Sequence, residues 1–200
     1  MREYIIKKVT GAPDWDAVPA LDVDNYQWCA PLDIRMKAQI CYDEGGLHVH
    51  LQAWEQAIRA ELTQPMSMVC EDSCMEFFFR PVDGDIRYFN LEINPNAQIY
   101  LGFGPNMPEL VRLALQDEDA LLQKRANYTD DGWEVFFTFP VSVIRLFFPG
   151  YELKSGRNLY ANCYKCGDET AQPHFISWNK IENDIVDFHQ PEYFGLMVLE

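Results

Sequence analysis

Apolar and polar residues alternate strictly in four segments of this chain, at residues 47–54, 73–79, 89–94 and 161–166. Successive side chains of a β-strand point to opposite faces of its sheet, so a period of two residues predicts half-buried strands. The polar positions hold amides, carboxylates, imidazoles and aromatic rings, whereas an ordinary solvated face carries mostly Lys, Thr, Ser and Glu. Such groups bind polar ligands, and the pattern therefore predicts a ligand-binding sheet face.

Turn-forming residues separate the β-like segments at regular intervals. Residues 43–46, 83–85 and 130–132 are rich in Asp and Gly, and each is predicted to close a hairpin. The hairpins pair residues 35–42 with 47–54, 73–80 with 87–94, and 121–128 with 133–139. Further strands are predicted at 98–103, 159–166, 173–178 and 194–199, with a helical turn at 141–147 and either a short helix or an irregular loop at 108–119. Roughly nine to eleven short strands at this spacing are typical of an all-β sandwich or barrel.

Length and charge narrow the class of protein further. The chain has 200 residues, of which 48% are hydrophobic, which suits one domain over residues 1–200 with a substantial core. The formal net charge of −15 disfavours nucleic acid and anionic membrane surfaces as partners, because both repel a polyanion. No segment approaches the roughly 18–20 apolar residues that span a bilayer, and the first residues lack a signal-peptide pattern. A cytoplasmic location is expected, and the oligomeric state is left open.

The chain contains six cysteines, which are expected to be reduced thiols because no secretion signal is seen. Cys163 and Cys166 are spaced like a redox pair or half of a zinc site. They lie within an alternating segment, however, so their sulfurs should point to opposite faces of a strand. Cys70 and Cys74 could supply the other half of a zinc site, but the opposed directions of Cys163 and Cys166 count against it.

Several motifs, in a consistent order, resemble carbohydrate-binding module family 9. Residues 72–79, Asp-Ser-Cys-Met-Glu-Phe-Phe-Phe, resemble the Asp-Ser-x-x-Glu-x-Phe strand of that family. The other matching segments are 88–95, Trp133 with 139–140, 162–166, 177–178 and 188–195, with Trp15, Tyr26 and Trp28 near the start. The resemblance covers nearly the whole chain and is closest to a stand-alone group with Asp-Ser-Cys-x-Glu-Phe-Phe and Asn-x-Tyr-Lys-Cys motifs.

The resemblance implies a jelly-roll β-sandwich of two antiparallel sheets, related to the DOMON-like domains. Family members bind sugars without catalysis, often at chain ends between two tryptophans, and are commonly fused to xylanases. The family glutamate corresponds to Glu76, and the second stacking tryptophan corresponds to Phe188. The first tryptophan is absent, with Val69 near its place. The family arginine is replaced by Glu92, and the family glutamine falls at Tyr164.

A carbohydrate is therefore the expected ligand. A sugar ring can lie flat on an aromatic plane, while amides and carboxylates bond its hydroxyls and fix its orientation. Trp54, at the end of its strand, could supply the ring that is missing near Val69. The predicted ligand-binding residues are Glu76, Asn90, Glu92, Tyr164, Phe188 and Trp54. No cofactor and no catalytic residue is predicted.

Three alternatives stay open at this point. The protein could be associated with a glycoside hydrolase or be weakly hydrolytic itself, using Glu76 and Glu92 as the two carboxylates that glycosidases need. It could instead be an interaction module whose acidic face binds calcium or another protein. His48 and His50 share a strand face and could bind a metal, although hydrogen-bonded structural roles are the stronger interpretation.

Overall fold

The computed structural model describes residues 1–200 and consists mainly of β-strands. The strands are β1 (Glu3–Lys8), β2 (Ala20–Val23), β3 (Asn25–Tyr26), β4 (Arg35–Tyr42), β5 (Gly46–Trp54), β6 (Cys74–Arg80), β7 (Tyr88–Ile93), β8 (Ile99–Gly104), β9 (Val111–Arg112), β10 (Arg125–Thr129), β11 (Gly132–Pro140), β12 (Asn158–Cys166), β13 (Phe175–Ser177) and β14 (Gly195–Leu199). Two short helices are α1 (Glu118–Leu122) and α2 (Val141–Phe147). No helix has the length and apolar character that crossing a bilayer requires.

Two sheets form the sandwich. The front sheet has the order β1-β14-β12-β6-β7-β8-β9, with β13 on the edge of β12 and β3 beside it. The back sheet has the order β10-β11-β5-β4, and β2 pairs with the outer edge of β4. Strand β1 pairs with both β14 and β4 and so joins the sheets, and these are the two parallel pairings in an otherwise antiparallel fold. The predicted all-β sandwich is confirmed, with β1 as the exception to its antiparallel pairing.

The predicted hairpins form where the turn chemistry favours them. Between β4 and β5, the Asp43 carboxylate accepts hydrogen bonds from the backbone N–H groups of Gly45 at 2.7 Å and Gly46 at 3.1 Å. Gly46 also packs closely against the neighbouring strand, because a Cβ atom there would lie 2.7 Å from the carbonyl oxygen of Phe139. A side chain at this position would separate β5 from β11, so glycine sets the start of the strand.

The core lies between the two sheets and takes the apolar face of each alternating strand. From the front sheet it receives Phe77, Phe79 and Phe89, all fully buried. Phe139 of the back sheet meets Phe79 and Phe89 at ring-centroid distances of 4.8 and 5.0 Å, both in edge-on geometry. Burying this face inward forces the polar face of β6, β7 and β12 outward, away from the core.

The structure revises two parts of the sequence-based description. Residues 108–119 contain the two-residue strand β9 and the beginning of α1, rather than a single helix or loop. Residues 121–128 were predicted as one strand, but β10 starts only at Arg125 because α1 occupies Glu118–Leu122. The helical turn at Val141–Phe147 forms as predicted.

A second apolar layer covers the outer face of the front sheet. Its strand residues include Phe78, Tyr88 and Tyr164, and loop residues such as Val69 and Phe188 pack over them. The outer face is therefore not an open platform. Polar side chains on this face are buried beneath loops, except where the loops leave a cavity.

Candidate functional site

The cavity lies on the outer face of the front sheet and has a volume of about 160 Å³. Four aromatic rings and four acidic side chains contribute to its lining: Trp28, Tyr100, Phe175 and Phe188, with Glu76, Glu92, Asp168 and Asp187. No lysine or arginine lines it. The combination of flat rings and oxygen acceptors suits a small ligand that carries several hydrogen-bond donors.

Strand register builds the floor of this cavity. Glu76 of β6 lies directly opposite Glu92 of β7. Asn90 lies two residues before Glu92, on the same face of β7. The Asn90 amide donates to Glu92 Oε1 at 2.9 Å, and the Cys166 thiol donates to Glu76 Oε1 at 2.9 Å. The second carboxyl oxygens of Glu76 and Glu92 and the Asn90 Oδ1 have no partner although they are buried. Three unpartnered acceptors at one place indicate that a ligand or water supplies the donors.

Stacked rings form one wall. Phe188 lies flat on Tyr164, with ring centroids 4.1 Å apart and an interplanar angle of 11°. The Tyr164 hydroxyl also donates to the backbone carbonyl of Phe188 at 3.2 Å. Tyr164 thus packs beneath Phe188, and Phe188 lines the cavity. The ring of Trp28 is 5.6 Å from Phe188, and Phe175 is 6.0 Å from both.

Trp28 has an unusual backbone conformation, with φ at 54° in the left-handed region. For a bulky residue this costs on the order of 1–3 kcal/mol and persists only where the surroundings enforce it. Here the indole Nε1 donates to the carbonyl of Asn183 at 2.9 Å, which fixes the ring against the 183–190 loop. Backbone strain at a cavity wall is typical of a residue that is positioned for binding.

Burial sets the protonation of the two floor carboxyls. Burial raises the pKa of Glu92 to about 8, with the nearby Asp168 adding to the rise and the Asn90 hydrogen bond opposing it. Burial and the neighbouring Glu92 raise the pKa of Glu76 well above its ordinary value. Both carboxyls therefore keep their protons to a higher pH than an exposed glutamate does, and a protonated carboxyl can both donate and accept a hydrogen bond.

This protonation argues against two of the alternatives. A glycosidase needs one protonated and one ionised carboxyl, with pKa values pushed apart, whereas both values here move in the same direction. Calcium prefers several ionised oxygen ligands, whereas here burial opposes ionisation of both floor carboxyls and the Cys166 thiol donates to one of them. Reversible binding of a neutral polar molecule fits the floor better than either.

The raised pKa values predict that stability falls as pH rises. The unfolded chain loses the Glu92 proton near 4.5, whereas the folded chain retains it until about 8, so the folded state holds more protons throughout that window. We expect the free energy of unfolding, measured by urea denaturation with a chelator present, to decline from pH 5 to pH 8. Glu92→Gln, which cannot ionise, should show a smaller decline. Equal slopes for both proteins would contradict the assignment.

The structure brings some of the sequence-predicted site residues together and separates others. Glu76, Glu92 and Phe188 line the cavity, while Asn90 and Tyr164 lie directly beneath it with no exposed surface. Trp54 does not belong to this group and cannot replace the missing ring. It ends β5 in the back sheet, where the Arg35 guanidinium packs 5.4 Å from its ring centroid. Alternation gives the face of a strand but not its sheet, which explains the misplacement.

His48 and His50 also belong to the back sheet and take hydrogen-bonded roles. His50 Nδ1 lies 2.8 Å from Gln39 Oε1, and its Nε2 lies 3.0 Å from Glu134 Oε2. His48 Nδ1 lies 3.0 Å from the Thr138 hydroxyl. The sequence pattern predicts that they share the polar face of β6, β7 and β12. The structure places them on the other sheet instead.

Sequence reasoning did not assign three of the aromatic cavity residues to the site, namely Trp28, Tyr100 and Phe175. Trp28 was already part of the family-like motif near the start of the chain, which is the one signal that could have identified it. Tyr100 alternates with core residues along β8, so its outward direction was readable but its neighbours were not. The Arg112 guanidinium packs over the face of the Tyr100 ring, 4.0 Å from its centroid, and helps to fix the ring in place.

The model of carbohydrate-binding family 9 matches residues 11–199 of the chain. The protein belongs to carbohydrate-binding family 9. The resemblance of the 72–79 and 162–166 motifs is thereby confirmed. No curated protein is similar enough in sequence to be recognised as a relative. Membership in this binding family also agrees with the expectation that the protein is not an enzyme.

Solved structures show how this family 9 protein compares with others. A candidate carbohydrate-binding protein from Bacteroides uniformis is 26% identical, with a TM-score of 0.87 and coverage of 100% of this chain and 99% of that one. A family 9 module from Caldicellulosiruptor kristjanssonii in complex with glucose is 12% identical, with a TM-score of 0.70 over 100% and 96% of the two chains. The same kind of module in complex with cellotriose is 13% identical, with a TM-score of 0.71 over 100% and 94%. At these lower identities the Caldicellulosiruptor structures establish the shared fold alone.

Proposed function

We propose that the cavity binds one sugar ring, either a free monosaccharide or the terminal ring of an oligosaccharide, without chemical conversion. The observation that carries this is the pair of buried, unpartnered acceptors on Glu76 and Glu92, which line a cavity with aromatic walls, with Asn90 bonded to Glu92 beneath them. Vicinal hydroxyls are donors and acceptors at close spacing, and the protonated carboxyls can answer both roles. The rings of Trp28 and Phe188 offer flat apolar surfaces to the faces of a pyranose.

Cavity size supports a single ring rather than a chain. A dry cavity of about 150 Å³ holds a benzene-sized molecule, and this one measures about 160 Å³. A longer ligand would have to extend past the rim, where Met68 and Val186 are exposed. We further propose a glucose-type sugar from cellulose- or xylan-type polysaccharide breakdown, which is supported by the glucose and cellotriose bound to the Caldicellulosiruptor modules.

Calorimetry with glucose, xylose and cellotriose tests the proposal. The wild type should bind at least one of them with millimolar or tighter affinity, and cellotriose should gain less than about tenfold over glucose because only one ring is enclosed. Absence of binding by any of these sugars at millimolar concentration would remove the proposal. Release of reducing sugar from cellulose or xylan by the pure protein would favour the hydrolytic alternative instead.

Trp28→Ala and Trp54→Ala form a matched pair for locating the site. Trp28→Ala should weaken sugar binding by about tenfold or more, since a stacking ring contributes on the order of 0.5–1.5 kcal/mol beyond the area it buries. Trp54→Ala removes the same side chain from the back sheet and should leave the affinity unchanged. If Trp54→Ala lost affinity and Trp28→Ala did not, the site would lie on the back sheet.

A further inference from the structure

A cluster of two thiols and a carboxyl lies at the floor of the cavity. Cys74 of β6 and Cys166 of β12 are directly opposite each other in the antiparallel register. Glu76 follows two residues after Cys74 on the same face of β6 and lies opposite Tyr164. Both sulfurs and a carboxyl oxygen of Glu76 lie within 4.8 Å of one another, and all three residues are buried.

The fold explains why Cys166 joins this cluster and Cys163 does not. Cys163 points into the core between the sheets, opposite in direction to Cys166, as the alternating pattern predicts. A zinc site made by the Cys163 and Cys166 pair is thereby ruled out. Cross-strand pairing instead joins Cys166 to Cys74, which are 92 positions apart and show no ligand spacing in the sequence.

The size and chemistry of the cluster match one class of ion. Zinc binds thiolates at about 2.3 Å and carboxylates at about 2.0–2.2 Å in a tetrahedron, which places neighbouring ligand atoms roughly 3.5–3.8 Å apart. Atoms that already lie within 4.8 Å need only small side-chain shifts to reach that spacing. Two sulfur ligands favour zinc over calcium or magnesium, which prefer oxygen.

A second observation points to a missing partner at the same place. Glu76 is 3% exposed and lines the cavity, yet its Oε2 has no hydrogen-bond partner. A buried carboxyl oxygen without a donor is costly, and a cation removes that cost. Zinc binding would displace the protons of both thiols and of the Glu76 carboxyl to solvent, so the sulfurs would bind as thiolates and Glu76 as a carboxylate.

We propose that Cys74, Glu76 and Cys166 bind a zinc ion at the floor of the cavity. Glu76 and Cys166 line the cavity, so the remaining coordination position is on the cavity side and is accessible to water or to a ligand hydroxyl. Glu92 stays outside the metal set and remains available to a sugar. The metal site does not require that a sugar be bound.

Cobalt titration of the reduced, chelator-treated full-length protein tests the site, because cobalt bound by thiolates absorbs strongly in the near ultraviolet. The wild type should bind one equivalent of cobalt with this absorption, zinc should displace it, and calcium should not. Cys74→Ser and Cys166→Ser should each weaken cobalt binding by more than the roughly 10- to 100-fold that loss of a supporting residue costs. Cys29→Ser, which removes a partly buried thiol outside the cluster, should bind like the wild type.

Several outcomes would overturn the proposal. One is a reduced wild type that shows no thiolate absorption, and another is a Cys74→Ser variant that retains this absorption at full strength. A Cys74–Cys166 disulfide in the purified protein, together with no cobalt uptake after reduction, would count equally against it. If a cysteine variant does not fold by circular dichroism, Glu76→Gln replaces it and should keep the absorption but bind cobalt more weakly. No sugar is present in these titrations, so their failure is distinguishable from failure of the sugar-binding proposal.

Discussion

Lys165→Met should lower the free energy of unfolding by about 3–5 kcal/mol. Lys165 is fully buried, and its ammonium lies 3.0 Å from the Glu55 carboxylate and 2.8 Å from His174 Nε2. Glu55 is also buried and accepts hydrogen bonds from the Trp133 indole at 2.6 Å and the Ser73 hydroxyl at 3.0 Å. Removing the lysine leaves a carboxylate in the interior without its cation, which is the costly way to break such a pair.

Lys165 is the single cation of this buried network, because His174 is neutral and Glu55 is ionised. Burial, with the Lys165 charge adding to it, lowers the pKa of His174 to about 4, so its ring is neutral at pH 7 and accepts from Lys165. The Lys165 charge and the hydrogen bonds from Trp133 and Lys165 hold the pKa of Glu55 below its ordinary value despite burial. In the wild type Lys165 is therefore the cation that pairs with Glu55.

Chemical denaturation of two further variants separates the charge effect from lost packing. Adding Glu55→Gln to Lys165→Met removes the unpaired charge and should recover part of the stability. Lys37→Met removes the same side chain from an exposed pair with Asp22, at 3.6 Å, and should cost at most about 1 kcal/mol. If Lys165→Met and Lys37→Met lowered the free energy of unfolding equally, the buried network would contribute no more stability than the exposed ion pair.

Asp72→Ala should also destabilise the fold, by about 3–5 kcal/mol. Asp72 is fully buried and accepts from the Arg59 guanidinium at 2.6 Å, from the backbone N–H groups of Glu61 at 3.1 Å and Leu62 at 2.9 Å, and from the Asn94 amide at 2.9 Å. Alanine would leave these donors unpaired. Urea denaturation measures the loss.

The same variant should weaken sugar binding, because Asp72 ties the 55–72 loop to the end of β7. That loop carries Met68 and Cys70, which line the cavity. Asp24→Ala is the control, since the Arg2–Asp24 pair has the same 2.6 Å distance but is exposed on both sides. It should change stability by no more than about 1 kcal/mol and leave sugar affinity intact. If Asp24→Ala lost as much stability and sugar affinity as Asp72→Ala, the effect of Asp72→Ala could not be attributed to its buried position.

Asp72 and Ser73, which form the family-like Asp-Ser motif in this chain, thus have structural roles. Asp72 fixes the loop, and the Ser73 hydroxyl donates to Glu55 within the buried network. Glu76, four residues after Asp72, lines the cavity.

Local sequence was sufficient for the alternating strands β5, β6, β7 and β12, for the β4–β5 and β6–β7 hairpins, and for the inward or outward direction of most side chains on those strands. Period-two alternation sets the two faces of β5, β6, β7 and β12 without reference to the rest of the chain. It correctly separates Cys163 from Cys166 and groups Glu76 with Glu92. Those results depend on backbone geometry and short turns, which act over a few residues.

Which faces share a surface, and what covers them, emerges only in the folded chain. Trp54 and Glu76 both point outward, yet they lie on different sheets because β-strand order depends on long-range pairing. Trp28 and Phe188 meet across 160 positions, and Cys74 meets Cys166 through cross-strand register. Side-chain direction follows from the local backbone, whereas a binding cavity depends on contacts between segments that are distant in sequence and must bury their apolar surface together.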